Sequence, residues 1–346
     1  MYSALRNSLS VQIVCLAAML GLIVMVSAKL GYVQLTFADI GKILFAKLFG
    51  GGHLLQAMDN LYPVVIMEVR LPRILSAAIV GGGLAIAGVI FQGILLNPLA
   101  DPYTLGVSAG AAFGASVALL FNIGILGIYS VPLFAFCGAV LTLGVVIYLS
   151  SSGGGLSSNN LILSGIIVAA ILSAGLSFLK YMADEQVEII IFWLMGSFAS
   201  KNWIDVSLTF IFVCIGFLIF LYHARDLNLM SLGARTAASL GVDTRRVTFI
   251  LLITASMVAA VCVSVSGIIG FVGLLIPHWM RFFTGPDNRR LLPISLLAGA
   301  VLLLSADTIT RAVLPAEIPI GVLTALIGGP FFCYIFRKRQ ISTQGF

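Results

Sequence analysis

The chain has 346 residues, of which 60% are hydrophobic and only 9% charged, and its mean hydropathy is +1.13. A soluble domain carries roughly a quarter charged residues, so this chain cannot wet a globular surface and must turn much of its exterior to lipid. Its net charge of +6 then reports basic loops on one face of a membrane rather than a nucleic-acid partner.

A helix needs about 20 apolar residues to cross the hydrocarbon. Such runs are predicted near 11–28, 74–96, 104–125, 131–149, 161–183, 203–223, 291–310 and 318–336. The first follows Arg6 and ends on Val26-Ser27-Ala28, a small-residue pattern shared with signal-peptide cleavage sites, but it is longer than a signal core and reads as a retained helix. Residues 31–62 mix apolar groups with Lys42, Lys47, His53 and Asp59, which suits a helix lying at the outer interface. Residues 187–199 are apolar but too short to span, and read as a re-entrant or surface helix.

Residues 224–246 alternate apolar and polar groups at helical spacing, with Gly233 and Gly241 as breaks, so two short surface helices are predicted there. On charge alone an ordinary basic loop would look the same. The stretch 247–283 carries no charge before Arg281 and is too long for one crossing. It divides into two helices at the turn marked by Ser264, Ser266, Gly267 and Gly270. The reading is thus an all-α polytopic membrane protein of about ten spans, forming one unit over residues 1–346. An even count puts both termini on one side. With the termini inside, the Lys and Arg of the inner segments outnumber the outer ones by eleven to eight overall, and by ten to one from the sixth span onward. Both termini are therefore expected in the cytoplasm.

Ionisable groups within spans usually mark proton or ion pathways. Here Lys180, Asp205, Arg281 and Asp307 all fall near span ends, where snorkelling accounts for them. His223 and His278 read as structural, because no buried carboxylate offers itself as a relay partner. The five cysteines (Cys15, Cys137, Cys214, Cys262 and Cys333) sit in apolar runs without metal-ligand spacing. No G-x-x-x-x-G-K-[ST] phosphate cradle occurs. Gly81-Gly82-Gly83 lies within a span and reads as close helix packing, and Gly153-Gly154-Gly155 as a flexible loop. No catalytic, cofactor-binding or metal-ligating set emerges. A passive pathway that draws its energy from a partner fits best; the alternative is a stand-alone secondary transporter or channel.

Three stretches then carry a resemblance: RLPRILSAAIVGGGLAIAGVIFQGILLNPLADPYTLGVSAGAAFG (70–114), GFVGLLIPHWMRFFTGPDNRRLLP (270–293) and EIPIGVLTALIGGP (317–330). With WLMGS (193–197) and the 224–246 segment, they resemble the FecCD family of binding-protein-dependent ABC importer permeases, over nearly the whole chain after residue 60. The resemblance implies a multi-pass permease of the inner (cytoplasmic) membrane. It would work as a homodimer, with two ABC ATPase subunits below and a periplasmic or lipoprotein binding protein above. The cargo would be a metal chelate, with an iron–siderophore the first choice, haem or cobalamin next, and an oxyanion such as molybdate open. No cofactor is implied, since ATP would be bound by the partner.

Site residues carry over by position. Asn228, Leu229, Leu232, Gly233, Ala237, Leu240 and Gly241 stand where the family's coupling helices enter a groove of the ATPase. Arg70, Arg73 and, less closely, Arg311 stand where outer arginines pair with glutamates of the binding protein, a use to which guanidinium forks are suited; phosphate anchoring at the interface would draw on the same arginines. Asn97, Pro98 and Leu99, with Ser157 and Ser158, stand at the cytoplasmic gate.

Overall fold

A computed structural model describes residues 9–31, 33–49, 58–151, 157–312 and 318–343, and among these every regular element is helical. The helices are α1 (Leu9–Lys29), α2 (Phe37–Phe49), α3 (Leu61–Ile94), α4 (Val107–Leu120), α5 (Ser130–Ser150), α6 (Ser158–Met182) and α7 (Val187–Leu194). They continue as α8 (Trp203–Tyr222), α9 (Ala224–Met230), α10 (Ala234–Ser239), α11 (Thr244–Ser266), α12 (Val272–Thr284), α13 (Asn288–Ala312) and α14 (Ile320–Thr343). Seven of them, α1, α3, α5, α6, α8, α11 and α13, are long and apolar enough to cross a membrane.

Two of the remaining three expected spans are shorter than the hydropathy suggested. Helix α4 has 14 residues and α12 has 13, about 20 Å of helix against a core of about 30 Å. Each starts late because the residue before it is left-handed, Gly106 at φ 76° and Phe271 at φ 68°. The turn inside 247–283 falls where expected, between Ser266 and Val272. The second predicted span, 74–96, in fact begins at Leu61. Its first turns are continuous with the rest through a π-helical segment, Val65–Arg70, just before Pro72. Proline supplies no backbone donor and crowds the preceding turn, which explains the locally widened register. The indole N–H of Trp203 donates to the Met67 carbonyl at 2.9 Å, satisfying a backbone group in that widened turn.

Helix α3 is the axis of the bundle: 19 residues from Pro72 to Ile94 are buried, against α8, α11, α12 and α13. Its closest neighbour is α13, which runs antiparallel to it. An added Cβ on Gly81 would lie 2.3 Å from the Gly299 carbonyl oxygen, and one on Gly299 would lie 2.3 Å from that of Gly81. The two backbones touch, as small residues permit in membrane bundles, and the packing role expected of Gly81-Gly82-Gly83 is met. Helices α4 and α5 meet in the same manner through Gly110, Gly114 and Gly138.

Helix α2 falls within the amphipathic segment 31–62. It buries Ile40, Ile43 and Ala46 and exposes Phe37, Phe45 and Phe49. His53 and Gly153-Gly154-Gly155 lie outside the described residues. The side chain of Gln12, near the start of α1, donates to the Phe283 carbonyl at the end of α12. Further along, α14 follows the direction of α12, with Phe331 packed on Trp279. The start of α1 and the end of α14 therefore point to the end of the bundle that carries α9 and α10.

Candidate functional site

At the end opposite α9 and α10, the structure buries two of the three expected docking arginines and leaves the third, Arg311, half-buried. Arg70 is only 4% exposed and donates to the carbonyls of Ala28 (2.5 Å), Lys29 (3.1 Å) and Val33 (2.5 Å). Arg311 donates to the carbonyls of Ser27 (2.7 Å) and Leu30 (2.8 Å) and to the Ser27 hydroxyl (2.8 Å). A helix leaves its last carbonyls without intrahelical partners. Two guanidinium groups cap those of α1, where positive charge is favoured, and so tie α1 to the start of α3 and the end of α13. Arg73 faces Asp307, with Nε–Oδ1 at 3.0 Å and Nη2–Oδ1 at 2.9 Å. The Asp307 residue has no exposed surface. Arg70 and Arg73 thus act as buried braces within the bundle, and Asp307 is a buried carboxylate rather than a snorkelling one.

At the other end, α9 and α10 form as two short helices, broken at Gly233 (φ 103°) and Gly241 (φ 88°). The seven residues expected to contact an ATPase divide between two faces. Leu232 and Leu240 are 63% and 58% exposed, Gly241 is exposed and Gly233 partly so, with exposed Arg235 between the two leucines. Ala237 is fully buried, and Leu229 packs against the core. Asn228 is a clasp. Its amide donates to Asp287 Oδ1 at 2.7 Å, and its oxygen accepts from the Asn288 backbone N–H (2.9 Å) and side-chain amide (2.7 Å). Helix α9 is thereby fastened to the turn that opens α13, and His223 closes its own first turn on Asp226 at 2.9 Å.

The two expected gate segments flank the end of α3. Asn97 accepts the Leu99 N–H on its side-chain oxygen at 3.0 Å, making a tight turn at Pro98. Ser157 caps α6 by accepting the Asn160 N–H, and Ser158 donates to the Ile94 carbonyl at 3.2 Å. Both segments border clefts shared with the short helices. One, of about 310 Å³, lies between Ile94, Leu96, Ser158, Met230 and Ala234. The other, of about 380 Å³, lies between Gln92, Pro98, Leu227, Ser231 and Arg281. Gln92 ties α3 to α12 here, donating toward the Gly273 and Leu274 carbonyls (3.4 and 3.3 Å) and accepting from Arg281.

The FecCD transport family matches residues 18–338 of the chain. The chain belongs to that family. Among FecCD relatives, it is 36% identical over 340 residues to an uncharacterised ABC transporter permease of Bacillus subtilis, covering 97% of this chain and 96% of that one. It is 41% identical over 279 residues to the cobalamin import system permease of Halobacterium salinarum, covering 80% of this chain and 74% of the other. A solved inward-facing metal-chelate type ABC transporter superposes with a TM-score of 0.82 at 35% identity, covering 94% of this chain and 98% of that one. This FecCD chain is accordingly a multi-pass ABC permease.

Two of the stretches that carried the FecCD resemblance come together in the fold. WLMGS, at the end of α7, and the start of α14 are knitted to the α11–α12 turn. Ser197 N–H donates to Ser266 O at 2.8 Å, Ile320 N–H to Gly196 O at 3.2 Å and Gly321 N–H to Met195 O at 3.0 Å. The Tyr103 hydroxyl, from the connector before α4, donates to Ile269 O. Non-helical backbone is tolerated at membrane depth only where protein satisfies it, and these segments satisfy one another. A Cβ on Gly321 would lie 2.5 Å from the Met195 oxygen, so the crossing requires glycine. Sequence reasoning missed Ser27, Gln92, Tyr103 and Asp307 as partners. Only Asp307 carried a signal, as an acid at the same end of the bundle as Arg73.

Proposed function

We propose that the chain is the membrane permease of a binding-protein-dependent ABC importer, moving a metal chelate into the cytoplasm with ATP hydrolysed on a separate subunit. An iron–siderophore is the first choice of cargo, with haem and cobalamin next. The bundle works as a homodimer in the inner membrane, with both termini and α9–α10 on the cytoplasmic side. The observation that carries this reading is the exposed pair Leu232 and Leu240 on short helices riveted to the bundle through Asn228. An apolar ridge with a guanidinium beside it suits a groove with an acidic rim.

Motion of α9 and α10 reaches the gate by contact. Their residues share clefts with Leu96, Pro98 and Ser158, so a push on the ridge is felt where Ser158 holds Ile94. Opening that seal costs one hydrogen bond, about 1 kcal/mol, small beside what a bound ATPase supplies. Cargo recognition belongs chiefly to the binding protein, since no group of three or more His, Cys, Asp or Glu suited to a metal occurs among the described residues.

The test is co-purification. The tagged chain, extracted from its native membrane in mild detergent, brings an ATPase subunit with it, and the L232E/L240E variant folds but loses that subunit and transport. Transport in vesicles containing this chain alone, or an unchanged complex in the variant, refutes the reading.

A further inference from the structure

A third cleft, of about 380 Å³, opens at the same end of the bundle between the start of α1, the end of α12 and the start of α13. Its polar lining is cationic and donor-rich: Arg281, Arg290, Gln12 and Thr284, and no carboxylate is among its lining residues. Arg290 is exposed and forms no ion pair among the described residues. The nearest acid in sequence, Asp287, accepts instead from Asn228 and from the Arg289 backbone N–H. The rim is the opposite in character. Phe282 and Phe283 are largely exposed, and the outer face of α1 beside them is apolar and unburied.

Two guanidinium groups lining one cleft, with Arg281 also held by Gln92, give it a positive potential that favours an anion. An apolar aromatic rim on the lipid-facing side would disfavour a fully hydrated ion but suit acyl chains. We infer that this cleft binds the phosphate headgroup of an anionic phospholipid, with Arg290 and Arg281 on the phosphate and the chains lying along Phe282, Phe283 and α1. Basic pockets between spanning helices at the cytoplasmic side are suited to such headgroups, and arginine forks match phosphate oxygens. The occupied site would stitch α1, which packs chiefly on α13, to the α12–α13 turn that also anchors the Asn228 clasp. It would thus make the coupling end sensitive to lipid composition.

The test uses the full chain, purified in detergent, stripped of lipid and titrated with phosphatidylglycerol, with binding read by native mass spectrometry and by melting temperature. One phosphatidylglycerol is expected to be retained tightly and to raise the melting temperature, while phosphatidylcholine does so weakly. R290E should weaken phosphatidylglycerol binding about tenfold, as expected for loss of one charged hydrogen-bonding partner. R290K should retain most of it. R289E, an exposed change outside the cleft, should match the wild type and so separates local from general charge effects. Three results overturn the proposal: stabilisation by inorganic phosphate equal to that by phosphatidylglycerol, which would make the site one for free anions; equal effects of R290E and R289E; or no retained lipid on the wild-type chain.

Discussion

The most demanding prediction concerns the Arg73–Asp307 pair, because its cost follows from burial. Arg73 is 8% exposed, Asp307 is 0% exposed, and the guanidinium approaches the carboxylate through Nε at 3.0 and 3.2 Å and through Nη2 at 2.9 Å. Bonds of this length between charged forks are strong, yet the pair as a whole offsets little more than its own desolvation. Removing one member is different, since it strands the other. Asp307→Ala is expected to lose about 3–5 kcal/mol, as is Arg73→Met, whereas the double substitution R73M/D307L removes both charges and should lie within about 1–2 kcal/mol of the wild type. Unfolding by denaturing detergent in mixed micelles measures this, followed by tryptophan fluorescence. Trp203 makes a local reporter because its indole is bonded to Met67, one turn before Arg70. If both single variants fall within 1 kcal/mol of the wild type, or the double variant loses as much as the sum of the singles, the pair is not the desolvated brace described here.

Two further perturbations test the packing and the loop before α8. Gly299→Val places side-chain atoms where the Gly81 carbonyl oxygen already sits 2.3 Å from an ideal Cβ; α3 and α13 must separate, and a loss of at least about 1–3 kcal/mol is expected in the same unfolding assay, while Gly144→Ala, with open space around it, should be neutral. Lys201, in the loop before α8, is held below the usual lysine range by burial, partly opposed by the Asp205 carboxylate. Its folded pKa is lowered, so the unfolded chain binds more protons between that value and the ordinary lysine value of 10.5, and stability rises with pH across this window. Lys201→Met should therefore be more stable than the wild type at neutral pH, with the gap closing as pH approaches 10.5; a constant gap would mean that the ammonium is not desolvated.

How far the sequence discloses this molecule depends on whether a feature is carried by a run or by a meeting of distant residues. Apolar runs and glycine breaks are local, and they led correctly to the long helices, the split after Ser266 and the two short helices around Gly233. Hydropathy overestimated α4 and α12, because a left-handed residue ahead of a helix delays its start without changing the apolar character of the run. It also missed the start of α3 at Leu61, because Glu68 and Arg70 interrupt the run while the helix continues through them.

The arginines' partners were hidden for a different reason. From sequence, a charge near a span end is equally a rim group and a brace, and only the partner decides. Arg70 and Arg311 find theirs in carbonyls that a helix end always leaves open, which no residue type announces. Arg73 finds Asp307 234 positions away. That register is visible once α3 and α13 are known to run antiparallel with Gly81 against Gly299: eight residues back along α3 lies Arg73, and eight forward along α13 lies Asp307. The same two helices are thus held by bare backbone contact at one level and by an ion pair roughly two turns away, about 12 Å. A contact between backbones fixes the distance between two helices but leaves their sliding unrestrained, whereas a fork pairing along both carboxylate oxygens fixes the slide. Together they make α3 and α13 one rigid unit, and α1 joins it through the Arg70 and Arg311 caps. Relative motion at the α9–α10 end must then run through the elements outside that unit, which include the Ser158 end of α6 and the short helices α9 and α10.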